Sequence, residues 1–238
     1  VALFILFINY LLLPTFYNQS DISRVLKSEL SKKLNLNLKF SNKLKYKLFP
    51  LPHFSSDDAI IYYDQNEISK IKKLKIFISI ENLFSLKNVS LKNIILENSN
   101  FYLIKKNYNF FLKLLESNFE NTQIRILNSS IFFKNSNEEI LFINKILEMK
   151  YFRDSKDLKN KIYSENEIFN IPYEIELYKD KNLNKYFSKT SLNFIKLKIE
   201  NEHKFDEEIK TGKINLLLNN SKSFISYKKN KSLIEFSL

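Results

Sequence analysis

The side chains best suited to acid–base, metal or phosphate chemistry in this 238-residue chain are two histidines, three adjacent carboxylate pairs and one glycine. His53 follows Pro52 in a turn and His203 sits in the polar stretch Glu202-His203-Lys204, so each reads as an exposed or edge histidine. Two histidines outside any H-E-x-x-H spacing are too few for a His-rich metal site or a triad. Asp57/Asp58, Glu138/Glu139 and Glu207/Glu208 are sequence neighbours. On a strand, such neighbours point to opposite faces and cannot share a proton. Glu174 and Glu176 fall on one face, but they alternate with Tyr173, Ile175 and Leu177 as a solvent-facing row does. Gly212 alone cannot build a glycine-rich phosphate loop. There is no cysteine, hence no disulfide or thiolate chemistry. The Asn-x-Ser triplets at Asn18, Asn88, Asn128 and Asn230 follow from an Asn- and Ser-rich composition. No catalytic, metal or cofactor residue is expected, and the chain reads as a non-enzyme.

The elements that would position a site are more informative. Hydrophobic residues make up 44% of the chain and aromatics 15%, which excludes wholesale disorder. The net charge of +12 suggests nucleic acid or anionic lipid, yet the lysines are scattered along strands instead of gathered on an arm or recognition helix. Abundant Lys, Asn, Ile, Phe and Tyr with scarce Ala, Gly and Arg also match A/T-rich codon usage. Nucleic acid is therefore not an expected partner, while a weak attraction to anionic headgroups survives.

The first charged residue is Asp21, and from Val1 to Tyr17 only Asn9 is strongly polar. At about 1.5 Å per residue, roughly 20 uncharged residues cross the ~30 Å hydrocarbon core of a bilayer. No A-x-A-like cleavage site precedes Asp21, so residues 1–19 read as a transmembrane anchor instead of a signal peptide. Its apolar positions are Leu3, Phe4, Ile5, Leu6, Phe7, Ile8, Leu11, Leu12 and Leu13, with Pro14 and the aromatics Tyr10, Phe16 and Tyr17 towards the exit. The chain begins with Val instead of Met, so an upstream piece is expected.

Residues 20–238 read as one β-rich domain. Ser20 or Asp21 caps a short amphipathic helix carrying Ile22, Val25, Leu26 and Leu30. Leu34, Leu36, Leu38 and Phe40 then alternate with polar residues, as do Leu44, Tyr46 and Leu48 beyond Ser41-Asn42-Lys43, which reads as a hairpin. Leu74, Ile76, Ile78 and Ile80 alternate cleanly, followed by Val89 to Leu91 and Ile94 to Leu96. Phe110, Phe111, Leu114 and Leu115 suggest a short helix plugging one end of the sheet. The polar stretch Arg153 to Asn170 reads as a loop or edge excursion. Strands resume at Tyr173, Leu192, Leu197, Ile214 and Phe224, and strand-like Leu233 to Phe236 suggests a continuation beyond Leu238.

One pattern recurs: an apolar strand end, an Asn/Ser turn and an aromatic-rich strand start. It appears around Asn98-Ser99-Asn100, again at Asn128-Ser129-Ser130, and loosely at Asn219-Asn220-Ser221. The first two copies are 30 positions apart, which predicts a hairpin repeat of that length.

The order of these features resembles the N-terminal region of the AsmA family over about residues 1–115: anchor, amphipathic helix, Leu36-x-Leu38-x-Phe40, the strand running into Phe49-Pro50-Leu51-Pro52-His53-Phe54, then Leu74 to Ile80 and Val89 to Leu96. Asn107 and Asn109 stand in the region where that family usually carries glycines. The resemblance implies a bacterial inner-membrane protein with its bulk in the periplasm. Its fold would be a mostly β (α+β) one, a long curved antiparallel sheet forming an open groove with an apolar inner face. It implies phospholipid as the bound partner, and binding or conducting phospholipid between membranes in cell-envelope biogenesis as the function. Leu36, Leu38, Phe40, Leu74, Ile76, Ile78 and Ile80 are the candidate groove residues. The alternative expectation is a structural or regulatory envelope module that assists outer-membrane protein assembly through protein partners.

Overall fold

The computed structural model describes residues 2–81, 83, 85, 89–180, 182–206, 209–230 and 233–237, with backbone only at 205 and 206. The apolar N-terminal run forms helix α1 (Ala2–Leu12), and Pro14 turns it into a 3-10 segment (Leu13–Phe16). Proline cannot continue the helix because it lacks the N–H and its ring clashes with the preceding turn. The chain then enters α2 (Gln19–Leu34) at 91° to the first segment. No single described helix is long and apolar enough to cross a membrane; Ala2–Phe16 and Gln19–Leu34 pass that test only as a bent pair. The expected anchor helix over residues 1–19 is thus shorter than its apolar run. Its described helical part ends at Leu12, and α2 does not extend it, because Asp21, Arg24, Lys27, Glu29, Lys32 and Lys33 make α2 a charged surface helix.

The cap of α2 lies earlier than expected: Asn18 accepts the Ser20 N–H at 2.8 Å. Asn35 closes the far end in the left-handed conformation (φ 50°), and the Leu36 N–H reaches back to Leu30 at 3.2 Å. Ile22, Leu26, Leu30 and Leu34 recur every fourth residue and are all at most 1% exposed. Burying such a stripe is worth roughly 1.5–3 kcal/mol per side chain.

Fourteen strands make one open, mostly antiparallel sheet: β1 (Asn37–Phe40), β2 (Lys45–Lys47), β3 (His53–Tyr63), β4 (Asn66–Ile78), β5 (Leu91–Leu103), β6 (Gln123–Lys134), β7 (Ile140–Arg153), β8 (Asn160–Ile168), β9 (Ile171–Asp180), β10 (Lys185–Leu192), β11 (Leu197–Asp206), β12 (Ile209–Leu218), β13 (Ser221–Lys229) and β14 (Ile234–Ser237). From β3 onward each strand pairs with the next in sequence. The expected β1–β2 hairpin does not form. Both strands pair with β3 instead, β1 along its second half and β2 along its first. Only β5 and β6 run parallel, and their connection carries α3 (Phe110–Leu115).

Those two parallel strands are the first two repeat copies. Asn93 opposes Gln123 and Leu103 opposes Phe133, so the offset of 30 is the sheet register itself. The expected Asn/Ser turns are not turns here. Asn98 (φ 54°) and Asn128 (φ 49°) are left-handed kinks inside continuous strands, at which the buried side switches from Ile94 and Leu96 to Ser99 and Phe101, and from Ile124 and Ile126 to Ser129 and Ile131. The same phase break crosses the neighbours at one level. In β3 it falls at Asp57 and Asp58 (φ 61°), and in β4 at Lys72 and Lys73. In β7 it falls at Leu147, where a register shift against β8 absorbs it. From β8 onward no register shift occurs. The third copy differs: Asn219 (φ 52°) does sit in the turn joining β12 and β13.

The expected loop at 153–170 is largely the interior strand β8. Its inward positions are Asn160, Ile162, Ser164 and Asn166, so polar residues hide the alternation. Asn160 donates to the Leu115 and Ser117 carbonyls at 2.9 and 2.7 Å, tying β8 to the end of α3. Tyr151 on β7 also donates to Phe111 at 3.3 Å. Helix α3 therefore lies across the middle of the inner face, against Tyr63 and Phe101 as well as β7 and β8, and not as the expected plug at one end of the sheet. Ile22 to Leu34 of α2, Phe110, Leu114 and Leu115 of α3, and the inner residues of β3 to β8 form one buried cluster.

Candidate functional site

Two features of this architecture stand out chemically: an apolar helix anchored only by its last turn, and an inner sheet face that loses most of its cover halfway along. Along α1, Leu3, Phe4, Ile5, Leu6, Phe7 and Ile8 are 37–84% exposed, although every one is apolar. A contiguous apolar surface of this kind is not stable in water. Asn9, its polar break, donates to the Ile5 carbonyl at 2.9 Å, which satisfies one amide N–H within the helix. Leu11, Leu12 and Leu13, the inner part of the expected anchor, are half-buried where the helix meets the domain.

Three tyrosines clamp that junction. Tyr10 donates to the Ile80 carbonyl at 2.7 Å and accepts the Leu83 N–H at 3.0 Å. Tyr46 on β2 donates to the Leu11 carbonyl at 2.7 Å, and Tyr17 donates to the Leu83 carbonyl. Burial holds the Tyr46 phenol up at about 12, so it remains a donor at any physiological pH. These bonds fix the direction in which α1 leaves the sheet.

Residues opposite one another in neighbouring strands share a face, which allows the inner face to be followed past β8. Leu177 opposes Ser188, which opposes Asn201, then Ile214 and Ile225. Ile175 leads in the same way to Thr190, Ile199, Leu216 and Ser223. Leu192, Leu197 and Leu218 form a third row, and Tyr186, His203, Gly212 and Tyr227 a fourth. These four rows contain no charged residue between Tyr186 and Tyr227. The opposite face of the same strands carries Lys189, Lys198, Glu200, Glu202, Lys213 and Lys222. The end of α3 reaches the near margin of this side, where Glu116 accepts from Lys179 and Tyr186 at 2.7 Å and Leu177 packs against the buried cluster; beyond it Ile175, Ile199, Ile214, Leu216 and Ile225 are half-exposed.

His203 belongs to that face instead of to an exposed turn. It is 7% exposed, stacks on Tyr186 at 5.3 Å and contacts Asn201 through Nδ1 at 3.3 Å. Burial first, and Lys210 second, pull its pKa down to about 4, which keeps it neutral. His53 is likewise buried, at 3%, stacked on Phe77 with its Nδ1 2.7 Å from the Leu51 carbonyl. Both correct the expectation of exposed histidines: His203 fills an inward row of the sheet, and His53 packs with Phe77 on the opposite face, the one that carries Lys75.

The candidate groove residues fall elsewhere than expected. Leu36, Leu38, Leu74, Ile76 and Ile78 are 0–7% exposed and Phe40 is half-buried; all six pack in the closed cluster with α2, while Ile80 is 45% exposed at the base of α1. The alternation was legible, but which part of the apolar face a helix covers depends on the packing of α2. The uncovered strands lie later in the chain. A sequence signal for them exists, namely one parity of β10 to β13 that carries charge only at the strand ends, at Lys210 and Lys229.

The carboxylate pairs stay outside any shared site. Asp57 and Asp58 are both exposed, because the kink turns two consecutive side chains outward, and Asp57 lies 3.4 Å from Lys45. Glu138 and Glu139 sit in the β6–β7 turn, where Asn135 donates to Glu139 at 2.7 Å. Glu174 lies on the charged face, accepting from Asn193 at 3.1 Å. Glu207/Glu208 and the triplet at Asn88 lie outside the described residues. Among the described residues no group of three or more His, Asp or Glu side chains is placed to hold a metal ion. On the outer face, Glu97 bonds Lys75 at 2.6 Å and Lys73 at 3.2 Å; burial raises its pKa, and the two lysines outweigh that and lower it.

The fold and site define a mostly β protein with an exposed apolar helix and a partly covered apolar sheet face. No family model matches the chain, and no curated protein matches it.

Proposed function

We propose that this chain is a membrane-anchored, non-enzymatic lipid-handling protein of the AsmA type. In this reading α1 enters the bilayer of a bacterial inner membrane, and the sheet extends into the periplasm. The inner face of β9 to β13, charge-free between Lys179, Lys210 and Lys229 at its margins, is an open groove that holds phospholipid acyl chains during passage between membranes in envelope biogenesis. The observation that carries the reading is that face: apolar residues keep inward register over four rows after the covering helices have ended. Each methylene shielded there is worth roughly 0.8 kcal/mol, so a chain is held by area without a specific ligand residue. Ser188, Thr190 and Ser223 interleave small hydroxyls among the apolar side chains, leaving room for a chain to lie across the strands.

Photo-crosslinking residues placed at Ile199, Ile214 and Leu216 of the full chain test this in membranes. Captured phospholipid at these sites, with none from a crosslinker at Lys213 on the opposite face, is the expected result. Equal capture from both faces, or none from either, overturns it.

The second reading, an envelope module that engages outer-membrane assembly partners, is separated from the first by the same crosslinkers: protein adducts without lipid adducts at Ile214 would select it.

A further inference from the structure

We infer that the base of the domain is itself a membrane-contact surface, an apolar collar of Phe16, Phe49, Leu51 and Ile80 that sits in the lipid interface around the exit of α1. The inference rests on α1 being a membrane anchor and adds the orientation of the domain against the bilayer. The four side chains are 82%, 85%, 62% and 45% exposed. They come from three separate segments: the 3-10 turn after α1, the loop between β2 and β3, and the residues just after β4.

The clamp described above brings these segments to one place. Ile80 is the residue whose carbonyl accepts from Tyr10, and β2, which delivers Phe49, is held to Leu11 through Tyr46. The Ile78 N–H bonds the Pro52 carbonyl at 3.2 Å, joining the Leu51 loop to the end of β4. The occupant follows from continuity with α1. Any environment that accepts Leu3 to Ile8 begins where that helix leaves the sheet, so the collar lies at its boundary. Aromatic and aliphatic side chains near an exposed lysine, here Lys47 two residues before Phe49, suit the headgroup level, where rings sit shallow and ammonium groups reach water or phosphate. A protein partner would have to recognise the collar while leaving room for the apolar helix emerging through it.

The chain contains no tryptophan, so a single introduced one reports only its own surroundings. The Phe49→Trp, Phe4→Trp and Phe224→Trp variants of the full chain are reconstituted separately into phosphatidylcholine–phosphatidylglycerol vesicles. Brominated lipids then report depth. The expected result is a blue-shifted emission for Phe49→Trp, quenched more by bromine near the headgroup end of the acyl chain than by bromine near its methyl end. Phe4→Trp should be quenched by deeper bromine, and Phe224→Trp, on the far strand β13, should be unquenched. If Phe4→Trp is quenched and Phe49→Trp is not, the collar is overturned while the anchor stands. If neither is quenched, both fall.

Discussion

The hydroxyl of Ser129 accepts the backbone N–H of Ser99 at 3.0 Å, across the one parallel pair of strands, at the level where both strands change phase. The kinks at Asn98 and Asn128 open a gap in the ladder between the Glu97–Leu127 and Asn100–Ser130 pairs. Ser129 fills it, and donates its own proton to the Leu127 carbonyl at 2.8 Å. This accounts for the recurrent Asn-Ser sequence: Asn tolerates the left-handed conformation, and at Asn128 the following Ser replaces a lost ladder bond.

Replacing Ser129 by Ala leaves the Ser99 N–H, on a residue with no solvent exposure, without its acceptor. The expected cost is about 1–3 kcal/mol. Asn98→Ala and Asn128→Ala should each cost about 1 kcal/mol because a β-branchless Ala still carries the Cβ that disfavours positive φ, whereas the Gly variants should be near neutral. Urea unfolding of the detergent-solubilised chain, with m unchanged, measures all of these.

Gly212 is the only glycine, and Tyr227 lies over it. A β-carbon there would come within 2.6 Å of the Tyr227 Cζ and hydroxyl and 2.7 Å of the Glu202 carbonyl. Gly212→Ala is expected to destabilise by about 1–3 kcal/mol through overpacking. Adding Tyr227→Ala should relieve only part of the clash, since the Glu202 carbonyl is backbone. A double-mutant cycle reads the coupling; a purely additive result would show that the ring is not the obstacle.

Acidification should destabilise the later strands through His203. Its folded pKa, about 4, lies below the usual 6.5, so the unfolded chain binds more protons between those values. The associated stability is fully present above about pH 6.5 and is lost as pH falls towards 4, by up to about 3 kcal/mol. Comparing chemical unfolding of the native chain and a His203→Asn variant at pH 7 and pH 4.5 isolates this term, because carboxylates held low, such as Glu97 and Glu148, are common to both.

Covered and uncovered parts of the inner face should respond differently to truncation. Leu26, 1% exposed on the buried side of α2, should cost about 2–5 kcal/mol as Leu26→Ala. Ile214→Ala, where water already reaches the side chain, should cost about 1 kcal/mol or less while lowering phospholipid capture. Equal stability losses at the two sites would mean that the β12 face is closed.

Much of the β architecture was legible because alternation is a local property: the cores of β3 to β6, β9 and β12 can be read from inward Ile, Leu and Phe, whereas β7 (Ile140–Arg153), whose inward positions include Asn144, was not read. Strand β8 escaped notice because its inward positions include Asn160, Ser164 and Asn166, which serve as bonding partners for α3 and β7. The supposed turns at Asn98 and Asn128 were misplaced because the same residues, Asn and Ser, that make a hairpin turn also make a mid-strand kink. A single strand does not distinguish the two; the flanking ladder does.

Sequence alone determined the apolar N-terminal helix, the β class, the amphipathic stripe of α2 and the 30-residue correspondence between β5 and β6, all of which depend on residue type and spacing along the chain. Only the tertiary structure decided that β1 and β2 share β3, that the repeat copies lie parallel, and that the uncovered apolar surface belongs to β9 to β13 and not to Leu74, Ile76 and Ile78. The physical reason is that both regions present apolar side chains at the same period. What separates core from open face is whether α2 and α3 reach it, and that is fixed by long-range contacts such as Asn160 with Leu115 and Ser117 with Leu34.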